Sequence, residues 1–270
     1  MGDKTILIGK VPYPEDTGSL YLTRPFRDIS PLSGFRALRR LAIKGRVSSD
    51  WGVLAGLTTL EALYLDHGGI RDLSPLAGLV GLTELSLFNT RVSDIRPLAG
   101  LTRLRSLNLS QTGAASLVPL AGLASLEELN LSDTPATSLR GLEGLPRLLH
   151  LDIARHTKAH SAKVEDLSPL AGHTSLRTLS AWSQGITDLG PLAGMAALRT
   201  LHLEDNPIAD VRPLAGLREL RELRIQQTDV RDIGPLCGLE QLEVLRVGEL
   251  PSEQLAAFQT ARPGCRVYAD

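Results

Sequence analysis

The feature that most constrains this chain is the motif L-x-x-L-x-L, which returns ten times at a nearly constant spacing. Neighbouring copies lie 22 residues apart, except for one step of 28 residues. Such self-similarity is the signature of repeat architectures, in which a unit buries its apolar face only by stacking on its neighbours. The chain is therefore predicted to form one elongated solenoid. The first leucine, position 1 of each copy, is Leu38, Leu60, Leu82, Leu104, Leu126, Leu148, Leu176, Leu198, Leu220 and Leu242.

Each copy has two halves with different predicted structures. The first half, such as Leu85-Ser86-Leu87, alternates apolar and polar residues, which is typical of a strand with one buried face. The second half, such as residues 94–101, contains Pro97 and Gly100 and is too short for a full helix, so it predicts a tight turn or a short 3-10 segment. An aspartate or serine at the start of this half is expected to accept free amide hydrogens. These residues are Asp72, Asp94, Asp166, Asp188, Asp210 and Asp232, with Ser116 and Ser138 in the same role.

Stacking is predicted to align the strands in a parallel sheet, with the leucines of positions 1, 4, 6, 11, 14, 17 and 20 filling a continuous interior. Position 9 is polar in most copies and is expected to point inward, where it bonds backbone groups that the bend leaves unpaired. Gly68, His156 and Gln184 depart from this rule. The residues that follow it are Thr90, Thr112, Thr134, Asn206 and Thr228.

This frame, followed by D-(L/I)-x-P-L-x-x-L, resembles the leucine-rich repeat family, L-x-x-L-x-L-x-x-N-x-L. It looks most like the 22-residue subclass, which includes the repeats of bacterial internalins and of the nuclear regulator of protein phosphatase 1. The resemblance covers about residues 20 to 250, although threonine mostly replaces the family's asparagine. It implies an α/β solenoid, a right-handed horseshoe with a parallel concave sheet and short 3-10 or turn segments on the convex side.

Three regions are predicted along the chain. Residues 1–37 form an N-terminal cap with a degenerate repeat, in which Ile6-Leu7-Ile8 is a short strand over the open end of the core. Residues 38–247 form ten repeats, the last of which merges into the next region. Residues 248–270 form a C-terminal cap, with a short helix that Ser252 caps and with a last strand at Val267-Tyr268.

Composition narrows the range of functions. The net charge of −1 gives no general attraction to nucleic acid or to a membrane. The longest apolar run near the start is Ile6-Leu7-Ile8, which is too short for a signal peptide or a membrane span, and no internalin-type wall anchor or Ig-like domain follows. Two unpaired-looking cysteines predict a reducing cytoplasm. Abundant arginine and alanine with little lysine indicate a bacterial source, and a monomer is expected.

Positions 3, 5 and 7 of each strand alternate with the buried leucines and are expected to point out of the concave sheet, where they carry no structural duty. Exposed aromatics on a rigid sheet are typical of interface anchors, although scattered exposed aromatics are also normal. The first strands are basic at Arg39, Arg40 and Lys44, and the middle is acidic, which indicates either a solvated face or steering of a complementary partner. The predicted protein-binding residues are Tyr21, Tyr64, Asp66, Glu84, Phe88, Asn108, Glu128, Asn130, Asp152, Trp182, His202, Glu204 and Arg224, with Asp133 at the edge.

The long step between copies is a six-residue insertion within residues 154–163. Three interpretations remain open. It is a basic loop that clasps the partner, a tolerated surface insertion, or a metal site in which His150, Asp152, His156 and His160 converge. The metal site needs a helix that brings His156 and His160 together, and nothing else in the sequence supports one. The loop residues singled out are Arg155, His156, Lys158, His160 and Lys163.

The sequence carries no phosphate-binding loop, no nucleophile elbow and no H-E-x-x-H motif. We therefore expect a non-enzymatic protein that needs no cofactor and binds another protein, rather than nucleic acid or a membrane, with its concave face. An inhibitor or immunity-type protein is one form of this function, and a regulator of a phosphatase or signalling protein is another. A metal-dependent protein using the insertion 154–163, or a protein that binds nucleic acid or a small ligand, remains as an alternative of another class.

Overall fold

The computed structural model describes residues 5–45, 47, 50–157 and 162–269. Two N-terminal strands, β1 (Thr5–Ile8) and β2 (Val11–Pro14), form an antiparallel hairpin. The following strands build one parallel sheet of twelve, ordered along the chain from β3 to β14. They are β3 (Ser19–Leu22), β4 (Arg40–Ile43), β5 (Ala62–Tyr64), β6 (Glu84–Ser86), β7 (Ser106–Asn108), β8 (Glu128–Asn130), β9 (His150–Asp152), β10 (Thr178–Ser180), β11 (Thr200–His202), β12 (Glu222–Ile225), β13 (Val244–Val247) and β14 (Arg266–Ala269).

The strands pair in the register of the repeat, so that Leu85 lies between Leu63 and Leu107. This register places every repeat leucine in one interior, and Leu107 is 1% exposed. The insertion does not interrupt the sheet, because Leu151 of β9 pairs directly with Leu179 of β10. The predicted parallel sheet and leucine core are confirmed.

Short 3-10 segments cross the second half of most repeats, as the proline predicts. In six of them the predicted aspartate accepts the N–H of the residue two positions later, as Asp94 Oδ1 does from Arg96 at 3.0 Å. The repeat that begins at Leu126 has Gly141 in the proline's place, with φ +105°, where a Cβ atom would lie 2.4 Å from the oxygen of Leu117. The 3-10 segments are Ser30–Gly34, Trp51–Gly56, Ser74–Leu76, Arg96–Leu98, Val118–Leu120, Ser168–Leu170, Gly190–Leu192, Arg212–Gly216 and Gly234–Gly238.

Position 9 bonds the backbone inside the bend, as predicted. Thr112 Oγ1 donates to the oxygen of Leu109 at 2.6 Å, and Thr90, Thr134 and Thr228 do the same in their own repeats. Asn206 replaces the hydroxyl with an amide whose oxygen accepts three backbone N–H groups.

Gln184 was expected to depart from the position 9 rule, and that expectation is wrong, because Gln184 also bonds backbone groups inside the core. Its side chain is buried, and its Oε1 accepts the N–H of Val164 at 2.8 Å while its Nε2 donates to the oxygen of Ile153. Ile153 and Val164 lie on either side of the insertion. The longer glutamine side chain bonds both of them, whereas the shorter threonine of other repeats bonds the backbone of its own repeat.

The residue at position 8 lies in the left-handed region in seven repeats, although none of the seven is glycine. This conformation turns the chain inward after the strand, and it costs an L-residue about 1–2 kcal/mol that the stack must offset. Arg155, at position 8 of the repeat with the insertion, is absent from the set. The residues are His67, Asn89, Gln111, Asp133, Ser183, Asp205 and Gln227, with φ between 52° and 60°.

Both predicted caps contain the expected elements. The predicted strand at Ile6-Leu7-Ile8 is present as β1, and Ile8 is fully buried in the core. Tyr13 of β2 meets Phe35 edge-on with centroids 6.5 Å apart. Strand β2 was not predicted. The C-terminal helix α1 (Ser252–Ala261) buries Phe258 against the last repeat.

The predicted capping role of Ser252 is wrong. Pro251 occupies the N-cap position and no side chain caps the helix. The fixed φ of Pro251 is already compatible with the entry to a helix, so Ser252 becomes its first residue. No helix in the described residues is long and apolar enough to cross a membrane.

Candidate functional site

The side chains at positions 3, 5 and 7 of strands β3 to β14 lie on the side of the sheet opposite the leucine core, and we call this surface the sheet face. Position 5 forms its middle row, because the strand register places the position 5 residue of each strand beside that of the neighbouring strand. The predicted residues Tyr21, Tyr64, Asn108, Asn130, Asp152, His202 and Arg224 all lie in it. The full row is Tyr21, Ala42, Tyr64, Ser86, Asn108, Asn130, Asp152, Ser180, His202, Arg224, Arg246 and Tyr268.

Two further rows flank the middle one. Glu84 and Glu128 belong to the position 3 row, in line with Ser106 between them. Position 7 contributes the predicted residues Asp66, Phe88, Trp182 and Glu204. The structure thus brings every predicted face residue onto one surface.

Position 7 is nevertheless not uniformly outward, and that part of the prediction is wrong. Ser110, Ser132 and Ala154 are buried, with at most 5% of each exposed. The strands end at position 5, and the chain then bends toward the left-handed residue at position 8. In two repeats the preceding asparagine also draws the serine down, as Asn108 Oδ1 accepts from both the N–H and the Oγ of Ser110 at 2.9 and 2.6 Å.

The asparagines of the middle row are held in a fixed orientation. Asn130 Oδ1 accepts from the N–H and the Oγ of Ser132 at 2.9 and 2.7 Å, repeating the arrangement at Asn108. Since the oxygen faces the backbone, the Nδ2 group of each asparagine is turned the other way, toward the open face. Two amide donors therefore stand side by side on neighbouring strands, available to acceptors from outside.

The middle of the sheet face carries carboxylates that have no ion pair with an arginine or lysine of the described residues. The group comprises Asp66, Glu84, Glu128 and Asp152, with Asp133 of position 8 buried at its edge, and we call it the acidic centre. Among the described residues, none of these five has an ion pair with a lysine or arginine, whereas Arg224 at the C-terminal end pairs with Glu222 at 2.6 Å. An outside cation would therefore meet no competing lysine or arginine ion pair among the residues that the structure describes.

Hydroxyl groups instead bond several carboxylates of the acidic centre. Tyr64 donates its hydroxyl proton to Glu84, and Ser86 donates to Asp66. Ser106 Oγ lies 3.1 Å from Glu128 Oε2. These contacts orient the carboxylates but leave their charge in place.

Burial and charge change the proton affinities of two groups here. Burial raises the pKa of Asp152. The N–H of Ala154, which donates to Asp152 Oδ1 at 2.9 Å, acts to lower this pKa but does not offset the burial. Burial, and then the hydrogen bond to Glu84, raise the pKa of Tyr64 to about 12. The surface is thus partly desolvated, which strengthens its interaction with any cation that approaches.

At the C-terminal end of the sheet face, several charged side chains have partners within the protein. Burial acts to raise the pKa of Glu222, but Arg224 and His202 lower it on balance. The guanidinium of Arg246 lies 4.5 Å from the ring centroid of Tyr268. Sequence reasoning missed Arg246 and Tyr268, although each follows in register from Arg224, and counting on by 22 residues would have found them.

Three of the predicted aromatic anchors already have neighbours. The ring of Phe88 stands edge-on to His67 with centroids 4.9 Å apart, and Trp182 stands edge-on to His156 at 4.7 Å. Tyr64 bonds Glu84, and only Tyr21 among the four is largely free, with 61% of its surface exposed. Phe88, Trp182 and Tyr64 therefore offer one ring face or edge rather than a whole side chain.

The insertion lies at the end of β9, beside the acidic centre. The N–H of Arg155 donates to the oxygen of Trp182 at 3.3 Å, and Thr157 donates its N–H and its Oγ1 to Asp133 Oδ1 at 2.8 and 3.0 Å. Arg155 is half-buried, and His156 and Lys163 are exposed. The predicted loop residues Lys158 and His160 lie outside the described residues.

The ends of the insertion are therefore anchored, while the predicted metal site includes His160, which lies outside the described residues. Within the described ranges no three His, Cys, Asp or Glu side chains are grouped as metal ligands. His156 packs on Trp182 instead. A shallow depression of about 370 Å³ lies on the sheet face across strands β7 to β10. It is lined by Asn108, Glu128, Asn130, His150, Asp152 and Ser180.

Comparison with known proteins agrees with this geometry. A family model described as leucine-rich repeats (two copies) matches residues 80–123 and 174–216. The structure of an internalin C2 from Listeria monocytogenes is 31% identical, covers 72% of this chain and 83% of its own, and has a TM-score of 0.67. This chain belongs to the leucine-rich repeat family. No curated protein sequence matches it.

Other solved structures share the leucine-rich repeat fold. An internalin, InlF, from Listeria monocytogenes is 24% identical over 97% of this chain and 85% of its own, with a TM-score of 0.74. The plant peptide hormone receptor RGFR1, solved in complex with RGF2, is 16% identical over 95% of this chain and 48% of its own, with a TM-score of 0.72. The predicted likeness to internalins is confirmed, and the likeness to the phosphatase regulator stays a prediction.

Proposed function

We propose that this leucine-rich repeat protein is a non-enzymatic binding protein whose sheet face holds another protein. The observation that carries the proposal is the acidic centre, in which Asp66, Glu84, Glu128, Asp133 and Asp152 lack an internal lysine or arginine partner among the described residues. Carboxylates left unneutralised on a rigid surface favour a partner that brings lysine and arginine to them.

The size of the surface supports a macromolecular partner. Twelve strands at about 4.8 Å extend roughly 50 Å, which is more than a small ligand can contact. The depression beside Asp152 is shallow and open, whereas small-molecule sites are usually enclosed. A protein surface with one or two basic side chains seated at the acidic centre fits this shape better.

The chemistry of the surface also selects the class of partner. Nucleic acid carries a dense negative charge, which the acidic centre repels. The Nδ2 groups of Asn108 and Asn130 suit carbonyl oxygens, which every polypeptide presents. A protein with a basic surface therefore satisfies both the charge and the donors of the sheet face.

Within this class we favour an inhibitor or immunity-type protein, because a rigid acidic surface can cover the cationic functional surface of an enzyme or toxin. A regulator of a phosphatase or signalling protein is the alternative. We further propose that the protein acts as a monomer in the cytoplasm of a bacterium. The free thiols of Cys237 and Cys265 support a reducing compartment.

The test is affinity capture from an extract of the source organism with three forms of the protein. The wild type is compared with the double variant Glu84→Gln and Glu128→Gln, and with a charge-matched control, Glu240→Gln and Glu253→Gln, whose side chains are exposed outside the sheet face. We expect at least one partner to be lost tenfold or more with the face variant and kept with the control.

Titration of the purified partner by calorimetry at low and high salt then measures the charge contribution. Binding through the acidic centre weakens as salt rises, because screening shortens the reach of charge. If the face variant retains every protein that the wild type captures, the sheet face is not the binding surface and the proposal is wrong.

A further inference from the structure

The strand β3 forms the N-terminal edge of the sheet, and its outer side pairs with no other strand in the described part of the chain. Gly18 and Leu22 direct their carbonyl oxygens to β4, accepting from Arg39, Arg40 and Lys44. Since alternate residues of a strand face opposite neighbours, Ser19 and Tyr21 turn their N–H and C=O groups to the open edge. Both are exposed.

A groove with apolar and basic walls lies beside the C-terminal end of this edge, at Tyr21 and Leu22. It has a volume of about 800 Å³ and lies between the β1–β2 hairpin and β3. The apolar side chains on its walls include Leu7, Val11 and Tyr21, which are 58%, 50% and 61% exposed. Large apolar side chains gathered beside an unpaired strand edge are an arrangement that proteins otherwise avoid, because it invites another strand.

We propose that this groove receives an extended, acidic segment of a partner protein, which adds to the sheet as a strand beside β3. Backbone hydrogen bonds to Ser19 and Tyr21 would supply the pairing, and the alternate apolar side chains of the segment would enter the groove. The four residues of β3 span roughly 13 Å, enough to pair a segment of four or five residues.

Charge identifies the segment as acidic. The groove contains Lys10, Arg24 and Arg27, and none of them forms an ion pair with a described residue. Among the described residues of its lining, the one carboxylate is Asp28, which already accepts the N–H and the hydroxyl of Ser30 at 2.8 and 2.9 Å. Three cations that have no ion pair with a described residue line a groove beside an open strand edge, and they complement glutamate and aspartate side chains on the incoming strand.

The same charges argue against a second copy of the chain. Parallel pairing of β3 with β3 of another copy would bring Arg24 and Arg27 against their own counterparts. Stacking β14 of one copy on β3 of the next would bring Arg246 and Arg266 toward the same basic groove. Both arrangements place like charges close together, which disfavours them.

The groove shares Tyr21 with the sheet face, but its basic residues lie outside that face, so this inference does not rest on the function proposed above. The test uses two labelled synthetic peptides, one alternating glutamate and valine and the other alternating lysine and valine. Fluorescence anisotropy measures their binding to the full chain, and hydrogen exchange measures the protection of the amides of Ser19 and Tyr21.

We expect the glutamate peptide to bind at least tenfold more tightly than the lysine peptide and to protect both amides. The double variant Arg24→Glu and Arg27→Glu should weaken it tenfold or more, whereas the matched control Arg103→Glu and Arg147→Glu should not. Tyr21→Pro removes an outward N–H at a position where an edge strand tolerates proline, and it should also weaken binding. Should Tyr21→Pro fail to fold, the arginine variants decide the question alone.

Equal binding of the two peptides, or no effect of the Arg24 and Arg27 changes, would overturn the proposal. Self-association that protects the same amides without any peptide would also overturn it, since the occupant would then be a second copy. The Glu84→Gln and Glu128→Gln variant should bind the glutamate peptide normally, which keeps failure here distinct from failure of the sheet-face proposal.

Discussion

The ring of His156 stands edge-on against the indole of Trp182, with centroids 4.7 Å apart and planes at 89°. One residue belongs to the insertion and the other to the sheet face. The contact therefore fixes the insertion to the surface that is proposed to bind a partner. It also means that Trp182 is supported from one side before any partner arrives.

Removing the imidazole should loosen the insertion and cost a little stability. An edge-to-face aromatic pair contributes about 0.5–1.5 kcal/mol beyond its burial, so His156→Ala should lower the free energy of unfolding by about that amount. Urea denaturation measures the change, and hydrogen exchange of residues 154–157 should quicken. The matched variant His156→Phe keeps an aromatic ring and should recover most of the loss. If it is as unstable as His156→Ala, the ring contact does not stabilise the insertion.

Gln184 should prove more important than a threonine at the same position. Its buried amide bonds both Ile153 and Val164, so Gln184→Leu leaves an N–H and a C=O without partners. At about 1–3 kcal/mol for each unsatisfied group, we expect a loss of about 2–6 kcal/mol in the free energy of unfolding. Thr228→Val is the control, since it frees only the oxygen of Ile225 in a partly exposed bend, and it should cost less than half as much. Equal losses in urea denaturation would contradict this account.

The repeat spacing predicted the sheet, its register and the middle row of the face, because strands that stack one repeat apart must align residues 22 apart. It did not predict how neighbouring side chains would bond. Asn108 draws Ser110 into the bend, and Tyr64 bonds Glu84, because these contacts depend on side-chain conformations that a periodic pattern does not contain.

The caps and the insertion were harder to predict for a related reason. Strand β2 and the use of Pro251 as the N-cap occur where the repeat ends, so no neighbouring copy supplies a template. Gln184 was treated as an exception because its type differs from threonine. Its greater length matches the wider gap at the insertion, and only the distance between Ile153 and Val164 reveals this.

His173 is a residue whose role the sequence did not reveal. It occupies position 20, where most repeats have leucine, and it is buried with Nδ1 and Nε2 each 2.9 Å from a carbonyl oxygen, of Leu170 and Leu142. Leu142 follows Gly141, where the usual proline and 3-10 segment are missing. The imidazole thus gives the irregular backbone of one repeat a polar partner from the next.

Restoring the consensus leucine should therefore destabilise the protein. His173→Leu leaves a buried carbonyl oxygen without its partner and should lower the free energy of unfolding by about 1–3 kcal/mol. The control is Met195→Leu at the same position of the next repeat, which conserves volume and should cost less than about 1.5 kcal/mol. Thermal and urea unfolding of both variants decide the matter. A His173→Leu protein as stable as the wild type would show that the carbonyl contacts contribute nothing.

Asp152 should make the protein less stable as the pH rises. Burial raises its pKa above the ordinary value of 3.8, so the folded state holds its proton more tightly than the unfolded state does. Stability from this group is fully present below pH 3.8 and is lost as the pH rises through the folded pKa. Asp152→Asn keeps the acceptor for the N–H of Ala154 and removes the charge. Its free energy of unfolding should therefore increase relative to that of the wild type as the pH rises from 3.8 through the folded pKa. Urea denaturation at a series of pH values measures the gain.

Asp94 supplies the opposite case in the same protein. Its hydrogen bonds to Arg96 lower its pKa to about 2, so its stabilisation is present above pH 3.8 and is lost as the pH falls toward 2. Asp94→Asn should therefore be less stable than the wild type near neutral pH, and the difference should shrink as acid is added. Opposite pH slopes for Asp152→Asn and Asp94→Asn, each measured against the wild type, are the expected result. Parallel slopes would mean that the environment of Asp152 does not disfavour its charge, and the acidic centre would then be more fully hydrated than its burial indicates.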